Sequence, residues 1–289
     1  MSKKRILLSG SINRLHFLVD SNRFEVIDTL TMTNDDKDTT GIIYTSDTAM
    51  YVNNPYIGLL CYNNIVFTEY HDLIQINMLN RFGINTPKTY FSKYYGSYIN
   101  ILEDDVRYII KPFGAANSGG KVIVDKKTLF DMSSKIYEDD ELLEKFNIND
   151  KIWDPEDRGL LNSALKNDAY YIQEVVDFEV EYRVIYIKGM GLNDIVVEKR
   201  DNYLTEDAKH YVVNTYSIDV NIRKTLKNFA TKHNLLATGF DVYVNSDGSW
   251  GVFEFSPGYG LNYYYKEYVK LRNYFNNMLE NEIERICNE

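Results

Sequence analysis

The chain has 289 residues, 44% of them hydrophobic and 26% charged, with a net charge of −10 and only 5 prolines against 25 tyrosines and 14 phenylalanines. That length and apolar content support a substantial core in one large or two modest domains and exclude long disordered stretches. The acidic balance excludes a generic basic surface for nucleic acid, so any phosphate site must be built from a few local cations.

The two cysteines, Cys61 and Cys287, are far apart in sequence. They fit a reducing compartment, with neither a disulfide framework nor a cysteine zinc site. The basic start "MSKKRILLSGSINRLHF" has too short an apolar run for a signal peptide, and no apolar run of 18 residues occurs. The expectation is a soluble cytoplasmic protein with no membrane and no nucleic-acid partner.

In chain order, "RILLSG" (5–10), "FEVIDTL" (24–30) and "GIIYT" (41–45) read as strands, with "TNDDKDTT" (33–40) an exposed loop. A short strand at Ile65 to Phe67 precedes a helix on which Leu73, Ile76, Leu79 and Phe82 recur at helical spacing. Gly83 is its C-cap candidate and Pro87 its stop. Then "YIIKPFGAANSGGKVIV" (108–124) sets two apolar strands around a loop of Gly, Ala, Asn and Ser, with Lys111 at its mouth and Lys121 at its exit. A helix at 126–137 and an acidic insertion, Glu138 to Leu161, follow.

Strands resume at 169–176, 181–189 and 193–201, with Val180 to Val197 forming an antiparallel pair around Gly189 to Gly191. A helix follows with Ile222, Leu226, Phe229 and Ala230 on one face. "GFDVYV" and "WGVFEF" then make a hairpin about Ser246-Asp247-Gly248. The tail from Tyr263 to Ile286 is an amphipathic helix with Val269, Leu271, Phe275, Met278, Leu279 and Ile283 on its apolar side.

Three stretches carry candidate chemistry. The glycine loop (Gly114, Gly119, Gly120) lets backbone N–H groups approach phosphate oxygens, and Lys111 adds a cation; a hairpin turn with a snorkelling lysine is the alternative. It is not a Walker loop, since Gly120-Lys121 runs into a strand and not a helix. In "QEVVDFEVEYR", backbone groups of Gln173, Glu174, Val175 and Val176 suit an adenine edge. Glu181 suits ribose hydroxyls, and Arg183 shares its face by strand alternation; an edge-strand ion pair is the alternative.

On the hairpin, Asp241, Glu254 and Ser256 offer two carboxylates and a hydroxyl. That set makes a hard Mg²⁺ site once phosphates supply further oxygens, or two acids that simply face solvent. No Ser-His or Cys-His arrangement competes; His16, His71, His210 and His233 are scattered.

Across residues 65 to 262 these features resemble the ATP-grasp superfamily. "IIKPFGAANSGG" is similar to its lysine and glycine-rich phosphate loop, and "QEVVDFEVEYR" to its adenine hinge, ribose acid and phosphate arginine. Asp241, Glu254 and Ser256 resemble its Asp…Glu-x-Asn metal triad, and "GINTPKTYF" its Gly-Ile-x-x-Pro-x-Thr segment. The last half looks most like the branch that includes the eukaryotic assembly factor for a translation initiation complex. It is less closely similar to the ribosomal-protein glutamate ligases.

The resemblance implies an α+β fold: a small Rossmann-like α/β domain at 1–87, a lid subdomain at 88–176 and a metal-bearing subdomain at 177–289. It implies ATP and Mg²⁺ as cofactors. Lys111, Gly119, Gly120, Lys121 and residues 173–176 would bind nucleotide, with Glu181 on the ribose. Arg183, Lys199 and Arg200 would face the transferred phosphate, and Asp241, Glu254 and Ser256 would hold the metal. The pattern is departed from at Asp72, where relatives carry a lysine, and at Ser256, where they carry Asn.

The activity implied is a carboxylate–amine ligation through an acyl phosphate, on a peptide or protein acceptor. An ATP-binding assembly factor with little turnover is the alternative, and a kinase a third possibility. The acidic run 138–157 and the aromatic patch 259–268 are candidate acceptor surfaces, or else a solvated face and the start of a core helix.

Overall fold

The computed structural model describes residues 4–9, 24–28, 42–45, 65–68, 72–91, 101–113, 121–134, 155–167, 169–201, 209–256 and 269–288. Four short strands open it: β1 (Lys4–Ser9), β2 (Phe24–Asp28), β3 (Ile42–Thr45) and β4 (Ile65–Thr68). They pair in parallel in the order β2-β1-β3-β4. The segments that cross between them, with Cys61, His16 and His71, lie outside the described residues.

Helix α1 (Asp72–Phe82) follows, with Asp72 in its first turn and Arg81 in its last, each matching the helix dipole. Ile76 and Leu79 are buried one turn apart, as their spacing requires. Gly83 closes the helix at φ +85°, a backbone state that a side chain disfavours, and the Ile84 N–H donates back to Leu79 O at 3.0 Å.

A four-stranded antiparallel sheet comes next, in the order β5-β8-β6-β7. It uses β5 (Thr89–Phe91), β6 (Arg107–Pro112), β7 (Val122–Asp125) and β8 (Tyr170–Glu174). Tyr108, Ile110, Val122, Val124 and Ile172 alternate onto one face. There they meet Leu129 of α2 (Lys126–Ser134) and Leu161 and Ala164 of α3 (Pro155–Lys166). The acidic insertion, expected as far as Leu161, instead holds the first part of α3, and Leu161 and Ala164 are the turn-spaced apolar residues that make it a covering helix. The other face of this sheet carries Lys111 and Tyr171.

The larger sheet is antiparallel, in the order β11-β10-β9-β12-β13. Its strands are β9 (Val180–Ile187), β10 (Val196–Asp201), β11 (Lys209–Val213), β12 (Ala237–Val244) and β13 (Trp250–Ser256). One face holds Val184, Phe240, Val242 and Phe255. It packs on Leu226 and Phe229 of α4 (Val220–Lys232) and on Phe275 and Leu279 of α5 (Val269–Asn288). Phe229 is the hub, edge-on to Phe240 at 5.9 Å and to Phe255 at 5.2 Å. Val269, expected on the apolar side of the tail helix, is instead 68% exposed at the first turn of α5, ahead of where that helix meets the sheet.

The α1 end is sewn to the outer edge of the large sheet. The Val252 N–H donates to Asn85 O at 2.9 Å, and Asn85 Nδ2 donates to Trp250 O at 3.2 Å. This covers β13, which would otherwise present an open edge. Gly251 makes the approach possible: a Cβ there would lie 2.6 Å from Asn85 O and closer still to the Tyr243 ring. Gly251→Ala is expected to lower unfolding free energy by about 1–3 kcal/mol, the scale of overpacking in a tight core, in denaturant titrations.

Candidate functional site

Sheet alternation places Glu198, Arg183, Asp241 and Glu254 in one row across four strands. The register pairs Glu198 with Arg183, Arg183 with Asp241, and Asp241 with Glu254. The last pairing depends on a bulge. Val242 pairs with Val252, but Asp241 pairs with Glu254, so Phe253 is an extra residue. A regular ladder would set Asp241 against Phe253 and turn Glu254 into the core beside Phe240. The bulge brings both acids to the face opposite α4 and α5, and Ser256 follows against Gly239.

Asp241 is buried, and Arg183 holds both of its oxygens. Nε donates to Oδ1 and Nη2 to Oδ2, each at 2.6 Å, with the two side chains only 3% and 4% exposed. A bidentate, charge-assisted pair of this kind fixes both partners in one geometry. Glu254 shows some surface to solvent, yet lost hydration and then the Asp241 charge push its carboxyl above the ordinary range. Lys121 and Lys111 pull it the other way.

The second half of the site comes from the smaller sheet. Lys111, at the end of β6, is 9% exposed and lies opposite Tyr171 of β8 in register. Its Nζ sits 5.8 Å from the Tyr171 ring centroid. Burial is the main cause of a pKa lowered to about 8, with Lys121 adding to the shift, while Glu254, Asp72 and Asp241 oppose it. The lysine of one sheet and the acid pair of the other therefore share one electrostatic neighbourhood. Separate surfaces would have removed the basis for a common ligand.

The other sequence candidates divide. Lys121 joins this neighbourhood, and Ser256 stands two residues from Glu254 with 7% exposure. Glu181 is fully buried, in register between Arg200 and Tyr243. Lys199 does not join: alternation turns it to the face opposite Glu198 and Arg183, at the register of Tyr182 and Tyr211. Arg200 is described in its backbone pairing only. Gly114, Gly119 and Gly120 and the patch 259–268 lie outside the described residues, as does the acidic run up to residue 154.

At the hinge, the N–H of Glu174 donates to Lys88 O at 3.0 Å and that of Val175 to Arg107 O at 2.8 Å, so sheet contacts take these two donors. The Glu174 carboxylate accepts from Tyr90 Oη at 2.7 Å and lies 3.3 Å from Lys88 Nζ. Gln173 Nε2 donates to Thr89 Oγ1 at 3.0 Å. Val176 follows at the start of the link to β9.

Three site residues had escaped notice. Phe253, the bulged residue, packs on Tyr243 at 4.7 Å and Phe178 at 5.4 Å; no local signal marks a bulge. Tyr171 hid in the apolar run "AYYIQEVV", where only alternation separates it from the core-facing Tyr170. Asp72, read as a missing cation, accepts the Tyr171 hydroxyl on Oδ2.

The residues fit a small hard cation. Two adjacent carboxylates, one raised by burial and then by the other's charge, and a nearby hydroxyl supply oxygen ligands, and phosphate oxygens would complete the set. Among the described residues no cluster of three or more His, Cys, Asp or Glu could hold a metal unaided.

No family model and no curated protein matches the chain. Solved structures do. D-cycloserine synthetase DcsG superposes with a TM-score of 0.60 at 14% identity, over 98% of this chain and 99% of that one. The ATP-grasp ligase PsnB, complexed with its precursor peptide PsnA2 and AMPPNP, gives 0.58 at 12% identity, over 98% of each chain. The D-alanine–D-alanine ligase of Bacillus anthracis complexed with ATP gives 0.56 at 14% identity, over 99% of this chain and 98% of that one. At such identities the likeness is one of fold.

Two outcomes follow from this geometry. Arg183→Met leaves the Asp241 carboxylate buried without its guanidinium and is expected to cost about 3–5 kcal/mol in denaturant unfolding; adding Asp241→Asn recovers part of the loss. The Lys111 proton favours an anionic ligand and is lost as pH rises through about 8. Affinity for a nucleotide triphosphate analogue should therefore fall by up to about tenfold per pH unit above that point. In Lys111→Arg, calorimetry should find it flat, because the guanidinium stays charged.

Proposed function

Because the chain has the ATP-grasp fold, we propose that it is an ATP- and Mg²⁺-dependent carboxylate–amine ligase acting on a peptide or protein substrate in the cytoplasm. The observation that carries this reading is the convergence of Lys111, from one sheet, with the Asp241–Glu254 pair of the other. The peptide preference draws on similarity to ligases solved with precursor, leader or core peptides. The parallel sheet β1–β4 corresponds in this reading to the Rossmann-like domain.

When bound, magnesium-complexed ATP supplies the phosphoryl group that activates a carboxylate as an acyl phosphate, from which an amine displaces phosphate. The chain's own part is positioning and charge neutralisation, since this chemistry needs no nucleophilic side chain. Lys111 and Lys121 place positive charge where the phosphate chain would lie. Asp241, Glu254 and Ser256 are the residues that would hold Mg²⁺. Arg183, anchored by Asp241, would face the transferred group.

An ATP-binding assembly factor with little turnover is the second reading, favoured by Ser256, whose hydroxyl reaches less far than the Asn of relatives. Peptide pools, ATP, Mg²⁺ and hydroxylamine separate the two. A ligase traps acyl hydroxamate and releases ADP only with a carboxylate donor present; nucleotide bound without ADP release supports the assembly factor. Asp241→Asn and Glu254→Gln are each expected to cut ADP release about 10²-fold or more. Full activity in both would remove the metal assignment.

A further inference from the structure

We propose that Asp72 and Tyr171 are a positioning pair for Lys111, by which helix α1 sets the lysine that meets the nucleotide; this rests on the nucleotide-binding reading above. A lysine with a buried ammonium gives up hydration and the freedom of a long side chain, so its place must be enforced by neighbours. The neighbour in register is Tyr171, whose ring lies 5.8 Å from Nζ. Phe113 stacks on the same ring at 5.8 Å and 28°. The ring's far end is held from outside the sheet, where the Tyr171 hydroxyl donates to Asp72 Oδ2 in the first turn of α1.

Helix α1 is itself fixed to the acid-bearing strand. Gln75, one turn along and buried, accepts the Phe255 N–H on Oε1 at 2.8 Å, and Phe255 adjoins Glu254. A continuous path therefore runs from Glu254 on β13 through Gln75, Asp72 and Tyr171 to Lys111 on β6. It sets the spacing between the acids and the lysine, which a phosphate chain must span. A lysine at 72 would repel Lys111 and could not accept the tyrosine hydroxyl, whereas the aspartate does accept it and adds a favourable charge to Lys111.

The test is calorimetric titration of the full chain with Mg-AMPPNP, comparing wild type with Tyr171→Phe, Asp72→Ala, Asp72→Asn and the double variant Tyr171→Phe/Asp72→Ala. Thermal unfolding serves as the control. Tyr171→Phe and Asp72→Ala should each weaken binding about tenfold, the scale of one hydrogen bond to a charged group. The double variant should be no weaker than either single one, and Asp72→Asn, whose amide oxygen still accepts, should stay close to wild type. A merely structural pair would instead move the unfolding midpoint and leave affinity alone. Wild-type affinity in folded Tyr171→Phe, or additive losses in the double variant, would overturn the proposal. Should Asp72→Ala fail to fold, Tyr171→Phe decides, since it removes one oxygen and no packing. If the wild-type chain binds no Mg-AMPPNP, the nucleotide reading itself fails.

Discussion

Two carboxylates on neighbouring strands repel one another, and in this protein the first is locked in place by a buried guanidinium. Arg183 takes both oxygens of Asp241 at 2.6 Å, so a buried ion pair spans β9 and β12 beside Glu254 on β13. Burial makes the arrangement consequential. In bulk water these charges would be screened to about 1 kcal/mol at contact, whereas in a dry site each alters its neighbours' protonation. Lost hydration is the main reason that Glu254 is raised and Lys111 lowered; the Asp241 charge adds to the first shift, and the acids' charges oppose the second.

The site needs two sheets, and each is made by the same device. An antiparallel ladder sends alternate residues into a helix-covered core and leaves the others to face a common space. In the smaller sheet Tyr108 and Ile110 go in and Lys111 stays out; in the larger one Val184 and Phe240 go in while Arg183 and Asp241 stay out. Helix α1 and Asn85 tie the outer strand of the larger sheet to the segment leading into the smaller one. The link is rigid, built from a helix and paired backbone, so the distance between lysine and acids is a property of the fold and not of a loop.

Much of this was legible. The hairpin around Ser246 to Gly248, the antiparallel pair β9–β10, and α1 with its glycine stop stand where pattern and turn chemistry place them. Lys111, Asp241 and Glu254 could be picked out because charged residues interrupt apolar strand runs. Other features resisted reading. Helix α3 is polar along most of its length, and only its contact with the smaller sheet identifies its buried stripe. Lys199 and Arg200 look equivalent as a basic pair, until the register assigns Lys199 the wrong face. The Glu174 carboxylate is committed to Tyr90 and Lys88, which lie more than 80 residues earlier.

The amino-acid sequence by itself determined most of the strands and helices, much of their apolar faces, and which few charged residues interrupt them, because periodicity and turn propensity are local properties of a chain. Tertiary structure alone decided which of those charges meet. One extra residue at Phe253 turns Glu254 from the core to the side of Asp241. One hydrogen bond from Tyr171 gives Asp72 a place beside Lys111 across 99 positions of sequence. Register and long-range contact have no local signature, since they are set by the packing of elements whose separation along the chain carries no information about their separation in space.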